Sequence, residues 1–263
     1  MSAIADVDRR SLLIGATGAA AASLASCSTN REAQLTSAKK LVFLLVHGAW
    51  HGGWCWTRVA ALLQAEGHTV YAPTLTGLGE RSHLLSDGVN LTTHINDVVN
   101  EVTWKDLTGV VLCGHSYGGM VITGVAERIA DRIASIVYLD AFWPVDGQSL
   151  NDISGAQRPT SGGIPPHPLE IFNVNQSDAA WVGAKLTPQP AATFAERLTV
   201  TGALDRIPRR TFIQATVGAA PFFASAYQRA RASPGWDALQ VDCGHDVMID
   251  RPADLARMLL RAA

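Results

Sequence analysis

Residues 112–120 read LCGHSYGGM, with a single serine, Ser116, set between Gly114 and Gly118. The run Gly114-His115-Ser116-Tyr117-Gly118 matches G-x-S-x-G, the pattern of a nucleophilic serine at a sharp turn from a strand into a helix. Five residues of such common types carry little weight alone, so the flanks decide. Before the motif stands the apolar run GVVLCG (109–114). After it comes YGGMVITGVAERI, in which Met120, Val121, Val125 and Ile129 recur near the helical period. A serine at such a turn sits in a strained backbone, so its neighbours must be small, and the two glycines supply the room. Its hydroxyl then stands above a sheet, at the positive end of a helix dipole. Ser116 is the candidate nucleophile.

The rest of the chain repeats this alternation. Strand-like runs fall at 41–46, 69–73, 109–114, 134–140, 210–217 and 238–242, and helical patterns at 54–66, 92–104, 117–130, 221–232 and 252–262. Short, wholly apolar runs such as LVFLLV suit central strands of a parallel sheet buried on both faces. Strand alternating with helix predicts an α/β fold with about six mostly parallel strands flanked by helices. Residues 144–205 break the rhythm with QRPTSGGIPPHPLE and LTPQP. A structureless loop of that length is out of place in a compact domain. The stretch reads as an inserted cap over the carboxyl edge of the sheet, where ligands of open α/β sheets bind.

LLVHGAWHGGWCWTRVAALLQAEGHTVYAPTLTGLGERSHL, GHSYGGMV and CGHD together resemble the α/β-hydrolase superfamily, and most closely the bacterial relatives of its plant methylesterase and hydroxynitrile lyase branch. The likeness spans about residues 41–150 and the loop around His245. It implies a serine hydrolase fold with the order serine, acid, histidine along the chain. His245, between the last strand-like run and the last helix, takes the place of the base. The residue after the nucleophile, Tyr117, offers one backbone N–H to an oxyanion. HGAWHGGW (47–54) resembles the oxyanion loop of this fold and assigns the second donor to Ala49, with Trp50 as the other choice. The acid departs from the family pattern, because no Asp or Glu lies between Arg206 and Trp236. Asp140, ending the fourth strand in VYLDAFWP, is chosen instead, with Asp242 and Asp246 as rivals. A buried carboxylate there would orient the histidine. His115 is read as structural. His47 and His51, four apart in a glycine-rich loop, are not read as metal ligands.

These residues imply cleavage of a carboxylic ester through an acyl-enzyme. Trp50, Trp143, Phe172 and Trp181 are candidate substrate contacts and point to a small to medium, apolar or aromatic ester; Trp54 belongs with them. Amide or carbamate hydrolysis, a hydroxynitrile-type lyase and a low-turnover small-molecule receptor are the alternatives. The lyases of the resembling branch carry threonine where this chain has Gly48 and use a cap lysine, for which Lys185 is the candidate. No phosphate loop, dinucleotide fingerprint or metal set is present, so no cofactor is implied.

Bulk properties agree with one domain. The chain has 263 residues, 48% hydrophobic and 17% charged, with a net charge of −2. That supports a sizeable core and gives no electrostatic footing for nucleic acid. Arg9-Arg10 followed by LLIGATGAAAASLA reads as a twin-arginine export signal over residues 1–27, too short and Ala/Gly-rich to span a membrane. Leu24-Ala25-Ser26-Cys27 resembles a lipobox, so lipidation of Cys27 would anchor the protein outside the cytoplasm. Residues 28–40 read as a linker. Cys55, Cys113 and Cys243 form no paired framework and read as packing residues.

Overall fold

The computed structural model describes residues 40–263. The expected export signal, lipobox cysteine and linker lie outside the described residues, apart from Lys40. The elements run β1 (Val42–Val46), α1 (Thr57–Ala65), β2 (Thr69–Tyr71), α2 (Leu91–Trp104), β3 (Val110–His115), α3 (Gly118–Ile129) and β4 (Ile133–Leu139). Then follow α4 (Leu150–Ser154), β5 (Gly163–Ile164), α5 (Gln176–Gly183), β6 (Gln189–Pro190) and α6 (Ala192–Ala195). The chain closes with β7 (Arg209–Ala215), α7 (Pro221–Ala232), β8 (Trp236–Val241), α8 (Val247–Asp250) and α9 (Pro252–Ala262). The expected elements therefore form, with ends shifted by at most three residues. The strand expected at 238–242 starts earlier, at Trp236.

Six strands pair in the order β2-β1-β3-β4-β7-β8, every pair parallel. Side chains alternate across a strand, so each central strand feeds two cores. Leu44, Val46, Leu112, Ile136 and Tyr138 pack toward α2, α3 and α7. Phe43, Leu45, Val111, Cys113 and Val137 pack toward α1 and α9. This double burial explains why β1 and β3 are apolar throughout rather than alternating. The helices start where local chemistry allows. Asn90 caps α2 by accepting the Thr93 N–H at 2.9 Å, and Pro252 opens α9 where its missing N–H has no intrahelical acceptor to lose.

Residues 144–205 hold only short elements. β5 and β6 form an antiparallel pair that places Ile164 opposite Gln189. Val46, His115, Leu139 and Val241, the last residues of β1, β3, β4 and β8, bring the loops that follow them to one edge of the sheet. Ala49, Ser116, Asp140 and His245 all lie just beyond that edge.

Candidate active site

Ser116 sits between β3 and α3 with φ +53°, in the left-handed region that side chains disfavour. The glycines around it have no room for a side chain. A Cβ on Gly114 would lie 2.6 Å from the Gly118 carbonyl oxygen, and one on Gly118 would lie 2.8 Å from that of Val46. The G-x-S-x-G spacing is thus imposed by the close approach of helix to strands. Ser116, His245 and Asp140 line one cavity of about 160 Å³.

Asp140 ends β4 in a second left-handed turn, φ +41°, and is 2% exposed. Its Oδ1 accepts the Ala215 N–H at 3.2 Å, and its Oδ2 accepts from His245 Nδ1 at 2.6 Å. Two bonds thus fix the carboxylate, and that contact turns His245 so that Nε2 is the ring nitrogen left for a substrate-side partner. The rival acids lie elsewhere. Asp246 points behind the site and bonds His51 Nε2 at 3.2 Å, and Asp242 reaches Thr216 Oγ1 at 3.3 Å.

The backbone N–H groups of Ala49 and Tyr117 have no acceptor among the described residues, and both residues line the cavity. Trp50, the other choice, donates its N–H to Gln189 Oε1 at 3.0 Å, so that group is already taken. In a trans peptide the C=O and N–H point in opposite directions, so holding one aims the other. The carbonyl of Gly48, in the peptide that carries the Ala49 N–H, accepts from His47 Nδ1 at 2.8 Å. The carbonyl of Ser116, in the peptide that carries the Tyr117 N–H, accepts from Gly119 and Phe142, both at 3.0 Å. Both free N–H groups are therefore held from behind.

The histidines separate by environment. Burial pushes His47 down to about 3; its Nε2 accepts the Leu75 N–H at 3.0 Å while Nδ1–H donates to Gly48, the neutral tautomer. Burial opposes charge on His51 as well, but Asp246 more than offsets it and raises His51 above its ordinary value. Asp246 in turn is held low, its burial outweighed by His51. Burial drives His115 well below the ordinary range, and it bonds the His245 carbonyl oxygen at 3.0 Å. His115 thus acts on the loop of His245 rather than on Ser116.

The expected aromatic contacts divide. Trp50 and Phe172 line the cavity, ring centroids 6.1 Å apart. Trp143 does not. It packs below, 4.0 Å from the Trp236 ring and beneath the Arg229 guanidinium, while Phe142 beside it faces the cavity. Adjacent residues in extended chain face opposite ways, and the expectation chose the wrong one of the two. Trp181 also lies outside. On α5 it meets Trp54 edge-on at 5.1 Å and carries Arg58 and Lys185 over its ring, a surface cluster of aromatics and cations. Sequence reasoning missed Phe194, the Phe222–Phe223 pair, Arg158 and His167, all lining the cavity. Only the FF dipeptide after β7 was a visible signal.

Gly48 and Lys185 bear on the lyase alternative. A Cβ on Gly48 would stand 2.8 Å from His115 Nδ1 and 3.0 Å from Ser116 Cβ. Lys185 Nζ lies over Trp54 and Trp181, away from the cavity. All three cysteines among the described residues are buried, and burial raises each thiol, Cys243 to about 12.

Comparison with known proteins bears on the family and its activity. The model of the alpha/beta hydrolase family matches residues 43–258. A carbendazim hydrolyzing esterase from Nocardioides sp. (strain SG-4G) is 43% identical over 238 residues, covering 82% of this chain and 97% of that one. Methylesterase 7 of Arabidopsis thaliana is 27% identical over 250 residues, 84% of this chain and 95% of its own. Among solved structures, an extracellular alpha/beta-hydrolase from a Paenibacillus species superposes with a TM-score of 0.71 at 25% identity, covering 85% and 99% of the two chains. From a sheet that delivers four loops to one edge, and from these relatives, the conclusion is that the chain belongs to the alpha/beta hydrolase family and is a carboxylic ester hydrolase.

Proposed function

We propose that ester cleavage runs through an acyl-enzyme on Ser116, with His245 as base, Asp140 as its orienting acid, and the Ala49 and Tyr117 N–H groups as the oxyanion hole. Ser116 Oγ attacks the ester carbonyl as its proton passes to His245 Nε2. Charge on the carbonyl oxygen is met by the two N–H groups, and Asp140 stabilises the imidazolium through Nδ1–H. Collapse expels the alcohol, which takes the proton from Nε2. Water, deprotonated by the same nitrogen, then attacks the acyl carbon and releases the acid and Ser116. The observation that carries this reading is the 2.6 Å contact from Asp140 to His245 in the cavity that also holds the strained Ser116.

A cavity of about 160 Å³ walled by Trp50, Phe172 and Phe223 favours a small ester with an apolar or aromatic side. Hydrolysis of a p-nitrophenyl ester series by wild type and Ser116→Ala tests the reading, with carbendazim added because a relative is named for hydrolysing it. Turnover that survives in Ser116→Ala would overturn it. The twin-arginine pattern and the Leu24–Cys27 lipobox support export, with lipid anchoring at Cys27. Full-length, unprocessed protein confined to the cytoplasm of the source cell would refute that part.

A further inference from the structure

One wall of the cavity does not fit a purely apolar substrate. Arg158, from the stretch between β4 and β7, lines the cavity with its guanidinium 5.3 Å from the Phe194 ring. Its Nη1 donates to Ser154 Oγ at 2.8 Å and to Asn151 Oδ1 at 3.3 Å. Those acceptors are neutral, and no carboxylate pairs with Arg158 among the described residues. Its Nε and Nη2 have no protein acceptor among the described residues either. Half-burial lowers its affinity for a proton, with no anion to offset the loss.

His167 lines the same cavity, edge-on to Trp50 with centroids 4.6 Å apart. Burial and then the charge of Arg158 hold it below its ordinary value, so it faces the cavity as a neutral ring. The one carboxylate in the lining, Asp140, is 2% exposed and engaged by His245 and Ala215. The cavity therefore carries one cation that no carboxylate contacts among the described residues, anchored on α4 and presented on a planar fork that matches a carboxylate. Partly buried charges are seldom left without a counter-ion, and here the substrate is the group that can bring one.

We propose that Arg158 is a specificity residue that binds a carboxylate on the part of the substrate remote from the scissile bond, so that the preferred esters are half-esters of small dicarboxylic acids or esters of like charge. The proposal rests on the reading of Ser116 as nucleophile in this cavity and adds the charge of the substrate to it.

The test compares methyl hydrogen succinate, glutarate and adipate with methyl butanoate, pentanoate and hexanoate, read by chromatography of the acid formed. For at least one chain length the half-ester should exceed its neutral counterpart by about tenfold or more in kcat/KM, the range expected of a charge-assisted hydrogen bond. That ratio should fall to near one in Arg158→Met, be only partly kept in Arg158→Lys, which holds the charge but loses the fork, and shrink as salt is raised. A ratio near one in wild type, or one unchanged in Arg158→Met, overturns the proposal. A binding arm separates it from the hydrolytic reading. Ser116→Ala protein is titrated calorimetrically with methyl hydrogen glutarate and with dimethyl glutarate. Tighter binding of the half-ester, lost when Arg158→Met is added, supports the subsite even if wild type cleaves neither compound, in which case the hydrolytic reading falls alone. Equal binding, or none, refutes the subsite.

Discussion

Replacing Asp140 by Asn isolates the weight of one charge. The Oδ2 to Nδ1 contact is 2.6 Å, which puts the charge centres of carboxylate and imidazolium roughly 4 Å apart; at an effective dielectric near 20 their attraction is about 4 kcal/mol. Losing it from the transition state lowers kcat about a thousandfold. Geometry adds to this. Asp140 Oδ1 also accepts the Ala215 N–H, and asparagine has one carboxamide oxygen for two donors. If that oxygen stays with Ala215, the amide NH2 faces His245 and forces the proton onto Nε2, the tautomer that cannot accept from serine. The expected loss is therefore about 10³–10⁴-fold in kcat with KM changed by less than about threefold. The assay is p-nitrophenyl butyrate hydrolysis at pH 8 on protein shown folded by its melting curve. Asp246→Asn is the matched control, because Asp246 sits next to His245 in sequence but bonds His51; it should keep kcat within about tenfold. Asp140→Asn retaining more than a tenth of wild-type kcat, or Asp246→Asn falling as far, would refute the assignment.

Ser116→Gly should abolish turnover yet raise stability by about 1 kcal/mol, or about 2–4 °C in Tm, by relieving the left-handed serine; calorimetry showing a lower Tm would contradict it. His47→Ala should lower kcat by about 10–100-fold with KM little changed, because it frees the Gly48 carbonyl whose peptide carries the Ala49 N–H. The His51–Asp246 pair sets a pH window for stability. His51 is raised from 6.5, so its contribution is whole below that value and fades as pH rises through the folded one. Asp246 is lowered from 3.8, so its contribution is whole above that value and is lost as pH falls through the folded one. The Tm gap between wild type and His51→Gln should accordingly be widest between about pH 4 and 6.5 and narrower at pH 9; a gap that widens toward pH 9 would exclude the pair. Trp143→Ala should cost about 3–5 kcal/mol of stability while leaving KM within about twofold, whereas Phe172→Ala should change KM, and steady-state kinetics beside urea denaturation would separate them.

The parts of the site that were legible in the sequence are those fixed by local constraint. The serine turn needs glycines at set distances, and the histidine follows the last strand. The proposed acid was less legible, since Asp140 and Asp242 both end strand-like runs and Asp246 adjoins the histidine; only the contact of Asp140 with His245 separates them. Side chains placed by tertiary packing were not legible. Phe142 and Trp143 look equally suited to a pocket, and only the position of Trp236 and Arg229 on β8 and α7 claims Trp143 for the core. Arg158 and His167 come from a stretch without periodicity, so nothing in the spacing says which way they face. Strand and helix ends were close because each apolar run is bounded by turn residues, whereas β5 and β6, two residues each, left no pattern to read.

The proposed oxyanion hole, built from peptide groups, has a genetic consequence. Replacing the Ala49 side chain removes neither N–H, so a mutational scan would pass over that position while still depending on its backbone. The sensitivity is displaced to His47, whose ring grips the Gly48 carbonyl, whereas the Ser116 carbonyl is gripped by the main-chain N–H groups of Gly119 and Phe142, which side-chain replacement also leaves in place. A map of loss-of-function substitutions in this protein would therefore outline the hole by its scaffolding and leave one of its two donors blank, and a search for active-site residues by side-chain replacement would credit His47 with a chemistry it performs only through the main chain.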